Sequence, residues 1–278
     1  MKNIILPTDF SANAKNAANY AMALFREEKC KFIVLNAFGT DSATNSMLLQ
    51  AAHPAYEAAR ANSQNSLKEF VEGLSSSNTG EYHSFETVSK YNYLARAVNE
   101  LIKAHDIYMV VMGTQGATGA KERWFGSNTV TVMESGFKCP VLVIPESAGI
   151  KMPQEIVFTT SLKRPYRIRD IAPLTELAKK HKSIVRILHT QDKEPDKEQQ
   201  HNKTVLTERL SGVEIFYHTL TNMNTEMAVQ CFVESRGDID MIAMVNRKHS
   251  LFNSMIRRPV ARSLGYHTRI PLLVMNRL

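Results

Sequence analysis

Three cysteines, one tryptophan and no long apolar run are what this 278-residue chain offers where many proteins have more. Cys30, Cys139 and Cys231 are odd in number, far apart and without a C-x-x-C pair. That argues against a disulfide framework or a zinc site and fits a reducing compartment. Cys139 directly precedes Pro140-Val141-Leu142-Val143-Ile144, the setting of a small buried hydrophobe rather than of a reactive thiol. No apolar stretch approaches the roughly 18 to 20 residues that cross a bilayer, so no membrane span is expected. The opening Met1–Pro7 has a single positive charge and only Ile4-Ile5-Leu6 as an apolar run. A signal-peptide core needs about 7 to 15, so export is not expected and a soluble, cytoplasmic protein is.

Several reaction classes lack their motifs as well. No H-E-x-x-H or other close metal spacing occurs among the nine histidines, and no G-x-S-x-G elbow is present. Gly116 to Lys121 has no G-K-[ST] ending, and no G-x-G-x-x-G follows the first apolar run. Aromatic and basic residues do not alternate as in a single-strand nucleic-acid platform, so nucleic acid is not an expected partner.

What remains is ordinary globular composition, 44% hydrophobic and 22% charged, in a length that suits two domains. The charge is unevenly placed. Residues 1–150 carry 13 basic and 14 acidic side chains, residues 151–278 carry 21 and 13, and no Asp or Glu follows Asp240. A second half of this kind would favour anions.

Along the first half, Lys2–Thr8 reads as a buried strand, followed by a helix capped by Ser11 with Ala14, Ala17, Ala18, Ala21 and Phe25 at helical spacing. Lys31–Phe38 is a second strand, about Gln50 to Leu74 a long helix, and Tyr82–Val88 a weak strand. Leu94, Ala97, Val98, Leu101 and Ile102 mark a third helix closed by Asp106, Ile107–Met112 a fourth strand, and Val141–Ile144 a fifth after a helix starting near Ser127. Alternating strands and helices pack as a parallel sheet with right-handed crossovers, and its ligands lie beyond the carboxyl ends of the strands.

The order then repeats. Asn3-Ile4-Ile5-Leu6 pairs with Glu155-Ile156-Val157-Phe158, Asp106–Met112 with Asp238–Met244, and Cys139–Ile144 with Ile270–Met275, at offsets of 152, 132 and 131. The predicted architecture is α/β: two tandem doubly wound domains, 1–146 and 153–278, each a five-stranded parallel sheet flanked by helices.

One constellation carries chemistry. After the fourth strand the chain reads Met112-Gly113-Thr114-Gln115-Gly116, then nine residues, then Gly126-Ser127. Glycines leaving a parallel strand let backbone amides approach a phosphate, and a helix opening at Gly126-Ser127 adds free amides, a positive dipole end and a hydroxyl. Read singly, each glycine would serve equally as part of a tight strand-to-helix loop. Trp124 and Phe125 would anchor that loop against the domain or stack on a base.

The pattern G-x2-G-x9-G-S after an apolar strand ending in Met resembles the ATP-binding signature of the universal stress protein family. Ile4-Ile5-Leu6-Pro7-Thr8-Asp9-Phe10-Ser11 resembles that family's first strand and its nucleoside-binding acidic turn. The resemblance covers the chain as two tandem copies and implies an adenine nucleotide alpha hydrolase-like fold. It also implies that Asp9, with Pro7 and Thr8, contacts the adenosine part, that Ala37 offers backbone groups to adenine, and that Met112 packs beside it. Gly113 and Gly116 would line the phosphates, and Gly126, Ser127 and Asn128 would hold the terminal ones with a divalent cation, Mg or Mn, shared by the nucleotide. Where the family has His before the position of Ala37, this chain has Asn36.

The second half lacks these features: Ser161 stands for Asp9, Val245 for Gly113, Lys248 for Gly116 and Arg257-Arg258-Pro259 for Gly126-Ser127-Asn128. It is read as a supporting domain without the family's ATP site, or as an anion site re-used at Arg247, Lys248, Arg257 and Arg258. The family implies a nucleotide-responsive stress regulator, which the comparison of halves narrows to one ATP site per chain, and a homodimer formed through edge strands, Val141–Ile144 and Leu272–Met275 pairing across domains or chains. Two alternatives stay open: an enzyme that slowly hydrolyses or transfers the phosphates, for which the loop offers no clear general base, and a partner-binding module acting through the basic half.

Overall fold

In the computed structural model the described residues are 1–38, 54–76, 82–114, 126–191, 194–246 and 269–276. The chain divides into two compact units, Met1–Ile150 and Lys151–Leu278.

The first unit runs β1 (Lys2–Pro7), α1 (Ala12–Leu24), β2 (Cys30–Ala37), α2 (Pro54–Ser75), β3 (His83–Lys90), α3 (Leu94–Ala104), β4 (Ile107–Gly113), α4 (Ser127–Glu134) and β5 (Val141–Ile144). Its strands lie in the order β3-β2-β1-β4-β5, every pairing parallel. The apolar runs Ile4-Ile5-Leu6, Phe32–Leu35 and Met109–Met112 are buried, as strands covered on both faces must be. β3 ends the order, and none of its residues is fully buried, which explains why it reads weakly as a strand. Ser11 caps α1 by accepting from the Ala14 amide at 3.2 Å, and the small face of α1 is buried. The segment Gln50 to His53, expected to open α2, lies outside the described residues.

From β1 the chain steps outward to β2 and β3 and then returns to β4 on the other side of β1. Right-handed crossovers put α1 and α2 on one face and α3 and α4 on the other, and each of these helix pairs is in contact. The reversal between β1 and β4 opens a crevice beyond their carboxyl ends.

The second unit runs β6 (Glu155–Thr160), α5 (Ile168–His181), β7 (Ile184–Gln191), α6 (Lys197–Arg209), β8 (Glu214–Thr221), α7 (Thr225–Glu234), β9 (Met241–Asn246) and β10 (Leu272–Asn276). Read from β8, its order β8-β7-β6-β9-β10 repeats that of the first unit, again all parallel. The registers repeat too. Ile4 opposite Met109 has its counterpart in Ile156 opposite Met241, and Val110 opposite Val141 in Ile242 opposite Leu272. These pairings reproduce the sequence offsets of 152, 132 and 131. Among the described residues no helix is long and apolar enough to cross a membrane.

Candidate functional site

Beyond the ends of β1 and β4, four segments converge on one cleft. It is lined by Pro7, Thr8 and Asp9 from the β1 exit, Ala37 from β2, Met112 and Gly113 from β4, and Gly126, Ser127 and Asn128 from the start of α4, with Ala14, Leu94 and Thr129 completing the wall. Nine of the ten residues singled out from the sequence therefore meet here. The tenth, Gly116, lies outside the described residues, as do Gln115, Trp124, Phe125, Arg247, Lys248, Arg257 and Arg258.

The acidic turn is built by local hydrogen bonds. Thr8 Oγ1 accepts from the Phe10 amide at 2.9 Å, Asp9 Oδ1 from the Ser11 amide at 3.2 Å, and Phe10 is driven to φ 65°, a backbone region that favours glycine. The Phe10 ring meets Phe70 of α2 edge-on at 6.1 Å, which helps hold this strained position. Asp9 is thereby left exposed at the crest of the turn. Beneath it, buried Asn36 donates from Nδ2 to the Thr8 carbonyl at 2.8 Å and accepts at Oδ1 from Ser63 of α2, also at 2.8 Å. Ser63 in turn shares a 2.7 Å hydrogen bond with Ser89 of β3.

Gly113 has a second reason to be glycine. A Cβ there would lie 2.7 to 2.9 Å from the side-chain amide atoms of Asn13, which is buried at 4% exposure. Asn13 donates to Thr114 Oγ1 at 3.3 Å. The exit of β4 thus abuts α1, whatever the cleft accommodates.

Gly126 takes φ −65° and ψ 157° as the N-cap of α4; it has no side chain to cap the first turn, none among the described residues does so, and no acidic residue lies in that turn. The amides that open the helix, lacking intrahelical partners, and the positive dipole end are therefore available to an anion. Ser127 and Asn128 are exposed toward this space, whereas Thr129 is buried. Among the described residues the lining combines apolar Ala37, Leu94 and Met112 with polar Ser127 and Asn128, and Asp9 is its one carboxylate. Such a lining suits a flat apolar group joined through hydroxyls to an anionic tail.

The sequence marks none of Asn13, Ser63, Leu94 and Thr129 plainly as part of the site. Asn13 and Thr129 carried a faint signal, each being a polar residue on an otherwise apolar helical stripe. Ser63 carried none.

In the second unit the acidic turn survives without its acid. Thr160 Oγ1 accepts from the Leu162 amide at 3.0 Å, Leu162 takes φ 53°, and Ser161 occupies the crest. His189, in the register position of Asn36, hydrogen-bonds from Nδ1 to the Thr160 carbonyl at 3.0 Å. A carbonyl only accepts, so Nδ1 carries the proton. The loss of features inferred for this half is therefore partial, since the turn and its support are kept.

Residues 1–145 match the model of the Universal stress protein family. A universal stress protein from Archaeoglobus fulgidus has a similar structure, with a TM-score of 0.66, 18% identity, and coverage of 99% of this chain and 96% of that one. A functionally unknown protein from Pseudomonas aeruginosa gives 0.60 at 8% identity, covering 99% and 92%. At these identities the likeness concerns the fold. No match is found among curated proteins.

Proposed function

Since the chain belongs to the universal stress protein family, we propose that it binds ATP in the cleft of its first unit, one molecule per chain, and acts as a nucleotide-responsive regulator in a stress response. The observation that carries this reading is the convergence of nine residues, drawn from four segments of sequence, on one cleft at the reversal point of a parallel sheet. The residues suit the ligand. An adenine would lie against Ala37, Leu94 and Met112, ribose hydroxyls would meet the Asp9 carboxylate, and the phosphates would face the uncapped amides of α4. A divalent cation, Mg or Mn, would be shared with the phosphates. Among the described residues no group of three His, Cys, Asp or Glu gathers to hold a metal, so most of its ligands would come from the nucleotide.

The second unit, with Ser161 and Val245 in place of Asp9 and Gly113, supports the first without an ATP site of its own. A homodimer through edge strands and a cytoplasmic setting belong to the same proposal. Light scattering at a series of concentrations tests the dimer.

Calorimetric titration with ATP tests the site, comparing wild type with Asp9→Ala. Binding by the wild type, weakened at least about tenfold by loss of the ribose contact, is expected. Equal affinities would remove Asp9 from the site, and no binding by either would end the proposal.

A further inference from the structure

We infer that Thr129 is a positioning residue that builds the phosphate end of the cleft by locking the start of α4 onto the end of β4; this rests on the nucleotide reading above. Thr129 is 3% exposed, and its hydroxyl lies 3.1 Å from both the Gly113 and the Thr114 carbonyl oxygens. The Gly126 amide donates to the same Thr114 oxygen at 2.7 Å, and the Thr114 amide donates to the Ile144 carbonyl at 3.1 Å. Four hydrogen bonds among Gly113, Thr114, Gly126, Thr129 and Ile144 thus form one clamp where β4 ends and α4 begins.

The clamp has two effects on an anion. It takes up two carbonyl oxygens that would repel a phosphate if left facing it. It also fixes the uncapped amides of Ser127 and Asn128 relative to Gly113, so the two ends of the phosphate cradle hold their spacing without help from a ligand. A threonine hydroxyl has one proton, and here two carbonyls share it. Thr129 therefore has no donor left for a phosphate and acts through the backbone it holds. The adenosine end is built separately, by Asn36 and Ser63 beneath the Thr8–Asp9 turn, and among the described residues these two share no hydrogen bond with the clamp.

That separation makes the role testable. Affinities for ATP and for adenosine are measured by calorimetry on the full chain as wild type, Thr129→Val, Thr129→Ser and Gly126→Pro. Proline suits the φ of −65° at Gly126 and removes the amide that donates to Thr114, with its ring added at the cleft wall. Thr129→Val is expected to weaken ATP about tenfold or more while leaving adenosine within about twofold, Thr129→Ser to restore ATP binding, and Gly126→Pro to show the same ATP-only loss. Wild-type ATP affinity in folded Thr129→Val or in Gly126→Pro overturns the inference. So does an equal loss of ATP and adenosine that serine does not restore, which would mark a role in folding alone. A wild type that binds adenosine and ATP equally contradicts the clamp's purpose, whereas one that binds neither removes the nucleotide reading first and this inference with it.

Discussion

Replacing Gly113 by alanine places a methyl group 2.7 Å from Asn13 Cγ, 2.8 Å from Nδ2 and 2.9 Å from Oδ1. Carbon contacts are comfortable at about 3.5 to 4.0 Å, so the methyl intrudes by roughly 1 Å on a planar group that cannot bend away. Asn13 is buried at 4% exposure and bound to Thr114, so it can yield only by giving up that hydrogen bond or by moving α1. Overpacking of this kind costs about 1 to 3 kcal/mol, or a fall in Tm of about 2 to 4 °C for each kcal/mol in a domain of this size. Asn13→Ala alone should cost about 1 kcal/mol for the lost hydrogen bond and leave the space that the new methyl needs. The Gly113→Ala/Asn13→Ala double variant should then be more stable than the sum of the single effects implies, by about 1 kcal/mol or more. Urea denaturation of the four proteins completes the cycle. Strict additivity, or a Gly113→Ala variant as stable as wild type, would refute the claim that packing against Asn13 dictates this glycine.

Asn36→Leu should cost about 1 to 3 kcal/mol, because it strips the buried Thr8 carbonyl of its donor, whereas Asn36→His should be milder, since His189 fills the same office for Thr160; matched urea midpoints for the two variants would contradict this. Burial pushes the Cys139 thiol up to about 12, and Cys30 is buried as well, so a thiol reagent at pH 8 should modify exposed Cys231 quickly and the other two only on unfolding. Three fast-reacting thiols in the native protein would be the contrary result. Burial, and then the positive charges of Arg186 and Arg236, hold His218 below its ordinary 6.5. The unfolded chain thus takes up the proton first, so this contribution to stability is complete above about pH 6.5 and is lost as pH falls below it. His218→Gln should lessen the drop in urea midpoint between pH 7.5 and 5.5, and an undiminished drop would show that other groups cause it.

Much of the fold was legible because the buried strands of a parallel sheet are continuous apolar runs. β1, β2, β4 and β5 fall where Ile4–Leu6, Phe32–Leu35, Met109–Met112 and Val141–Ile144 place them. β3 was faint because an edge strand with Ser84 and Glu86 on it need not be apolar. The cleft was legible at Gly113, where a Cβ would meet Asn13, and at Asp9 and Gly126, which motif spacing marks although the backbone there tolerates other residues. It was illegible where polar side chains reach across long separations. Asn13 meets Thr114 at a sequence distance of 101, and Ser63 meets Asn36 at 27, and no periodicity encodes either contact. The second unit shows the same limit from the other side. Its side chains differ at every conspicuous position, yet the turn at Thr160–Leu162 keeps the geometry of Thr8–Phe10, because a threonine hydroxyl and a supporting donor suffice to hold it.

The proposed function requires one ATP per chain, held by the first unit. Nucleotide added to saturation, freed of excess by gel filtration in the presence of Mg, then released by denaturation and quantified by chromatography, tests it directly. Close to one adenine nucleotide per chain is expected, falling sharply in Asp9→Ala. Two per chain would give the second unit a site that Ser161 and Val245 should not provide, and none would contradict the proposed function outright.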